Sequence, residues 1–196
     1  MKAEGYARMR IGCFGLIVVS SSILFVGSAR AQCVNTVTPT CSVYEACFAK
    51  YCPCKGENDY FLSYGKRYCE AFLGAANFSD SGRKWRDRTL NCLQEAIVPK
   101  LDISENPSCN CSEMRSLAFS SHVACYTQTG ASICDLGLSD LNEIRRIVDT
   151  GDVLSIDGMK QTKAVADICK TTAPDDGRRT LWATLATVLP NYSPDS

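Results

Sequence analysis

Residues 68–101, YCEAFLGAANFSDSGRKWRDRTLNCLQEAIVPKL, and residues 112–134, SEMRSLAFSSHVACYTQTGASIC, decide the fold. In the first stretch Leu90, Leu93, Ile97 and Leu101 recur at spacings of 3, 4 and 4, one face of an α-helix. Cys92 lies beside that stripe. In the second, Met114, Leu117, Ala118, Ser121, Ala124 and Cys125 trace another helical face. Cys92 and Cys125 therefore project toward a shared interior, where a bridge between them would hold the two helices together. Between the two stretches runs a loop that carries Cys109 and Cys111.

Working outward, the N-terminal flank opens irregularly at Gln32 to Thr40, with Cys33 inside it and Pro39 closing it. CSVYEACFAKYCPC, residues 41–54, reads as a short helix stapled at both ends, with Val43, Ala46, Cys47 and Lys50 at helical spacing. Pro53 stops it, because its ring clashes with the preceding turn. KGEND, residues 55–59, is a turn by composition. Tyr60 to Ala75 then forms a helix whose Tyr60, Phe61, Tyr64, Tyr68, Phe72 and Leu73 make a broad aromatic face, the pattern of a core surface. Ser79 or Asp80 caps the helix that runs through Trp85 to Val98, and Pro99 ends it.

On the C-terminal side Gly130 breaks the pattern. Ser139 is placed to cap a helix carrying Leu141, Ile144, Ile147 and Val148 on one side, with Gly151 as its stop. Asp152 to Gly158 reads as a loop, and Met159 to Thr171 as a helix with Val165, Ile168 and Cys169 facing inward. Arg179 to Leu189 has Leu181, Trp182, Leu185, Val188 and Leu189 at amphipathic spacing, closed by Pro190. No segment alternates cleanly enough for a strand. The fold class is all-α, a disulfide-rich helical bundle.

The first 31 residues read as a secretory signal peptide. Lys2, Arg8 and Arg10 make a basic start, Ile11 to Val26 is a mostly apolar run of 16 residues, and Ala29-Arg30-Ala31 offers a small-x-small cleavage pattern. About 20 apolar residues are needed to cross a bilayer, so cleavage rather than anchoring is expected, with no membrane association afterwards. Of the 21 basic and 21 acidic residues, four basic and one acidic lie in that segment, leaving 17 against 20. A net charge near −3 argues against an electrostatic nucleic-acid binder. Cys13 leaves with the signal, so thirteen cysteines become twelve, an even number in an oxidising compartment. Six bridges are the expectation for a secreted, extracellular protein. Each stabilises by about 2–4 kcal/mol, mainly by restricting the unfolded chain. Residues 32–172 form the helical disulfide-rich domain and residues 173–196 a C-terminal amphipathic helix and tail.

No catalytic, metal-binding or cofactor-binding constellation emerges. His122 is the only histidine, whereas catalytic cysteine or serine chemistry needs a positioned base and zinc sites commonly take several histidines or free thiolates. It reads as a surface or boundary residue. Cys52-Pro53-Cys54 and Cys109-Asn110-Cys111 would suggest metal binding in a reducing cell; in a secreted chain they are bridge partners to different sites. Asp149 to Gly158 lacks the alternating oxygen ligands and terminal glutamate of an EF-hand loop. Arg83, Lys84, Arg86 and Arg88, with Arg145 and Arg146 apart from them, form either a patch for phosphate, glycan or an acidic partner or, as the preferred reading, solvated faces. Three glycosylation sequons begin at Asn77, Asn110 and Asn191.

YCEAFLGAANFSDSGRKWRDRTLNCL (68–93) followed by HVACYTQTGASICDLGLSDLNEIRRIVD (122–149) resembles the stanniocalcins, secreted disulfide-rich helical glycoproteins. The likeness rests on a cysteine, an FL-x-x-A-x-F stretch, a glycine and a helix carrying the next cysteine, and covers roughly Cys41 to Cys169. The spacing of Cys47 and Cys52 fits; the gap from Cys125 to Cys134 is longer than in the family. The resemblance implies bridges Cys41–Cys52, Cys47–Cys69, Cys92–Cys125 and Cys134–Cys169, with Cys54 reaching Cys109 or Cys111. Cys33 and the remaining member of that pair are left over, and would bond to each other. The family also links two subunits through a later cysteine that has no counterpart here, which makes Cys33 the substitute in a possible homodimer. By likeness the chain is a non-enzymatic secreted hormone or regulatory glycoprotein of calcium and phosphate homeostasis, acting on a protein receptor or a secreted protein target. The rival is a secreted helical carrier of lipid or sterol, its cavity lined by the aromatic face from Tyr60 to Leu73. A carboxylate-only hydrolase is the third reading.

Overall fold

A computed structural model describes residue 33, residues 38–56 and residues 59–191. The expected signal peptide and its cleavage site lie outside the described residues, as do Tyr192 and Ser193 of the last sequon. Among the described residues the chain is all helix and connection, with no strand. It is a disulfide-rich all-α fold.

Helix α1 is a π-helical stretch, Tyr44–Phe48, running into Ala49–Tyr51. Its buried side chains are Tyr44, Cys47 and Phe48, with Val43 before it. Ala46 faces solvent, which shifts the inward face from the expected Val43-Ala46-Cys47-Lys50 line. The wider π turn moves the register by a residue, a change that side-chain spacing does not reveal. Helix α2 likewise begins as a π stretch, Phe61–Lys66, and continues as Arg67–Gly74. The two helices meet where Gly65 lies under the Tyr44 ring, and a Cβ there would sit 2.5 Å from Tyr44 Cε1. Lys66 bridges them on the outside, its Nζ 2.6 Å from Glu45 Oε1.

Helix α3, Asp80–Ile97, tightens into a final turn at Val98–Lys100. Of the two capping candidates Ser79 is the one used, its hydroxyl accepting from Gly82 N at 3.1 Å. Helix α4, Cys111–Tyr126, starts at an Asn110 cap whose Oδ1 accepts from Glu113 N at 3.2 Å. Helices α3 and α4 pack along each other, joined by Cys92–Cys125.

The C-terminal half departs from the sequence reading. Helix α5, Leu138–Ile147, begins at Gly137 with no side-chain cap, so Ser139 sits inside the helix rather than before it. Gly151 is not its stop, because the helix has already ended at Ile147. The expected loop at 152–158 contains α6, Thr150–Leu154, and the start of α7, Ile156–Thr172. Ser155 caps α7 by accepting from Gly158 N at 3.0 Å. A serine between two glycine-containing segments looks like a loop in composition and acts here as a helix cap. Residues 173–175 reverse the chain into α8, Asp176–Val188, which packs on α7 and buries Trp182 and Ala186. Ile168, expected inward, is exposed.

Candidate functional site: an aromatic cavity and two sets of paired cysteines

Side chains from all eight described helices line a cavity of about 590 Å³, most of them from α2, α3, α4, α5, α7 and α8. One wall is the aromatic face of α2. Tyr60 and Tyr64 stack at 5.2 Å, each lies 5.3–5.4 Å from Phe119 of α4, and Tyr64 meets Tyr68 edge-on at 4.7 Å. From Phe119 the ring contacts run through His122 and Tyr126 to Trp85 and Phe72. Offset and edge-on pairs at these distances are the favoured arrangements of aromatic quadrupoles. Leu90, Leu93 and Ile97, the stripe of α3, complete the apolar wall. The i, i+4 spacing of Tyr60, Tyr64, Tyr68 and Phe72 puts these rings on one side of α2, even though its first turns are wound as a π-helix.

The wall carries polar atoms, and Arg86, Arg145 and Asp152 bring charge to it. Burial pushes the hydroxyls of Tyr44 and Tyr64 up to about 12, and those of Tyr60 and Tyr126 well above their ordinary value, so all four remain neutral phenols. Trp85 Nε1 donates to the Tyr126 carbonyl at 3.1 Å. At one edge Tyr68 donates to Asp152 and accepts from Asp149 N at 3.1 Å, while Arg67 holds Asp149 at 2.9 Å and Asp152 at 3.0 Å. Both carboxylates are thus engaged with one guanidinium.

His122 corrects the sequence reading. It is 5% exposed rather than a surface residue, and its Nδ1 lies 2.7 Å from the Ala118 carbonyl. A carbonyl oxygen only accepts, so Nδ1 carries the proton and Nε2 the lone pair. Burial pulls its pKa below the usual histidine value. A histidine on a helix without charged neighbours reads as exposed; the ring stack between Phe119 and Tyr126 is what encloses it.

The cavity wall meets solvent at Leu138, 65% exposed, Leu181, 40%, and Val188, 71%. Exposed Asn142, Arg145 and Thr184 line the cavity beside them, so the rim between α5 and α8 mixes apolar and polar groups. Nothing in the sequence separates these leucines from core positions, because the amphipathic spacing of α8 satisfies packing on α7 as well as a cavity rim.

The twelve described cysteines form six bonds: Cys33–Cys47, Cys41–Cys69, Cys52–Cys109, Cys54–Cys111, Cys92–Cys125 and Cys134–Cys169. The last two coincide with pairs that the resemblance implies, and Cys54–Cys111 is one of its two options for Cys54. Cys41–Cys52 and Cys47–Cys69 do not form. The π turn of α1 turns Cys47 back toward Cys33 and leaves Cys69 of α2 to Cys41, with Cα atoms 5.4 and 5.7 Å apart. Cys33, the candidate for a link between subunits, is bonded within the chain. The two C-x-C pairs do not go to different sites but to each other, and their four sulfurs lie within 4.8 Å of one another.

Asn77, Asn110 and Asn191 are all exposed. Asn77 also donates from Nδ2 to Glu143 at 3.2 Å, and Asn110 caps α4 through the oxygen that a glycan would leave free. The basic cluster on α3 is partly neutralised: Arg83 pairs with Asp80, and Arg86 with Asp87 at 2.7 Å. Arg146 lies 3.3 Å from Glu143. No protein-family model matches the chain, and no curated protein or solved structure matches it significantly.

Proposed function

We propose that the chain is a non-enzymatic, disulfide-stapled helical carrier that holds one small, largely apolar molecule of the lipid or sterol class. The observation that carries this reading is the cavity of about 590 Å³, whose lining is mainly apolar and aromatic and which exposes Leu138, Leu181 and Val188 at its rim. Ligand sites commonly span about 300–1,000 Å³ and are lined by apolar and aromatic groups with a few placed polar atoms. The six bridges are compatible with an extracellular protein and suit a bundle that holds open a cavity: packing against an empty space costs stability that cross-links recover in part.

Both tryptophans of the chain, Trp85 and Trp182, line the cavity. Titration with a long-chain fatty acid or a sterol is expected to change their emission, and native mass spectrometry of protein purified without detergent to show a co-purified molecule. Ala118 is buried in the wall, so Ala118→Phe should fill the site and abolish the emission change while far-ultraviolet circular dichroism stays helical. No co-purified molecule and no response to either ligand class would sink the carrier reading.

A second reading keeps the stanniocalcin likeness: a secreted regulatory glycoprotein of calcium and phosphate balance acting on a protein partner. It is favoured by Cys92–Cys125 and Cys134–Cys169, which agree with the likeness, and weakened by Cys41 and Cys47, whose partners differ. A partner captured by the glycosylated, secreted chain and still bound by the Ala118→Phe variant would move this reading to first place.

A further inference from the structure

Cys52–Cys109 and Cys54–Cys111 join the same two segments with a two-residue offset. A bridge stabilises mainly by the size of the loop that it closes in the unfolded chain. Once the first bond is made, the second closes only a ring of a few residues, so it adds little by that route. The pair is surplus to stability, and the arrangement calls for another account.

The local structure gathers the sulfurs. Around Pro53 the chain turns tightly, Cys54 N donating to Cys52 O at 2.8 Å, and this brings the two sulfurs to 3.5 Å. Opposite, Ser108 N donates to Asp102 at 2.8 Å, shaping the loop that delivers Cys109. Cys111 is the first residue of α4, where unpaired backbone N–H groups and the helix dipole favour a thiolate. All four sulfurs lie within 4.8 Å of one another, and three of the four residues are only half-buried. A tetrahedral zinc–thiolate centre has Zn–S bonds of about 2.3 Å, which sets its sulfurs about 3.8 Å apart. Side-chain rotation alone spans the difference: the bonded pairs open and the cross pairs close, each by about 2 Å or less.

We propose that Cys52, Cys54, Cys109 and Cys111 form a redox-gated site for one thiophilic divalent cation of the zinc class. Two equivalents of a dithiol reductant each pass two electrons to one bridge and are themselves oxidised to disulfides, leaving four thiols. The cation then displaces four protons and is held by four thiolates. The bridged and metal-bound states exclude each other, because each uses all four sulfurs. Either state ties the segment after α1 to the start of α4, so the cross-link survives the change of redox compartment.

The test treats the full chain with graded dithiothreitol in the presence of cadmium, whose thiolate charge-transfer absorption reports coordination, and maps free thiols by alkylation. The expected result is one cadmium per chain, with Cys52, Cys54, Cys109 and Cys111 opened first and protected from iodoacetamide only when metal is present. Cys54→Ser with Cys111→Ser should lose the absorption, whereas Cys92→Ser with Cys125→Ser should keep it. Equal cadmium binding by the Cys54→Ser, Cys111→Ser variant would overturn the proposal. So would alkylation of the four at the same rate with and without metal, measured on the unmutated chain. Resistance of these two bridges until the whole chain unfolds would overturn it too.

Discussion

Asp140, 3% exposed, accepts from Ser79 N at 2.8 Å and from the Ser79 hydroxyl at 2.7 Å, and so ties α5 to the first turn of α3. Ser79 in turn caps α3, and Gly82 leaves the space that the carboxylate occupies. Removing one partner of a buried pair leaves the other desolvated and unpaired, which costs about 1–3 kcal/mol. Asp140→Ala is expected to lower the unfolding free energy read from urea denaturation by that amount, and Ser79→Ala by about 1 kcal/mol. Because the two act as one unit, the double variant should cost less than their sum. His122 makes a second prediction, in pH. Its native pKa is held below the ordinary value, so the unfolded chain binds the proton first. Stability from this group is full above an unfolded pKa of about 6.5 and falls as pH drops below it toward the lowered native value. Replacing His122 with Gln should flatten the stability–pH curve in that window, read by urea unfolding across a pH series.

Helices α1 and α2 make their contact by close approach rather than by large side chains. Gly65→Ala would drive a methyl into the Tyr44 ring, and overpacking of this kind costs about 1–3 kcal/mol. A lowered midpoint with unchanged bridges is the expected outcome, from thermal unfolding and a non-reducing peptide map. The same approach decides the bridges nearby. With α1 wound as a π turn, Cys47 faces Cys33 and Cys41 faces Cys69, an arrangement that cysteine spacing does not distinguish from its alternatives. The start of α3 was legible because its cap is chemical: a serine whose oxygen meets a free N–H group of the first turn. The starts of α5 and α7 were not, since Gly137 caps nothing and Ser155 follows a short helix that composition presents as loop.

For the whole molecule the sharpest check is the disulfide map. Peptides joining Cys33 to Cys47, Cys41 to Cys69, Cys52 to Cys109, Cys54 to Cys111, Cys92 to Cys125 and Cys134 to Cys169 are expected, with the intact mass of a single chain. A doubled mass lost on reduction would contradict the internal pairing of Cys33. The all-α class, the facing of Cys92 and Cys125, the aromatic side of α2 and the stripe of α3 were present in one-dimensional periodicity, because a helix places its residues by a local rule. The cavity was not, since it is the space left among the helices, set by crossing angles and by side chains distant in sequence. The burial of His122, the exposure of Leu138, Leu181 and Val188 at the cavity rim, and the meeting of the two C-x-C pairs have the same origin. Each depends on which segments the folded chain brings together, and no local rule carries that.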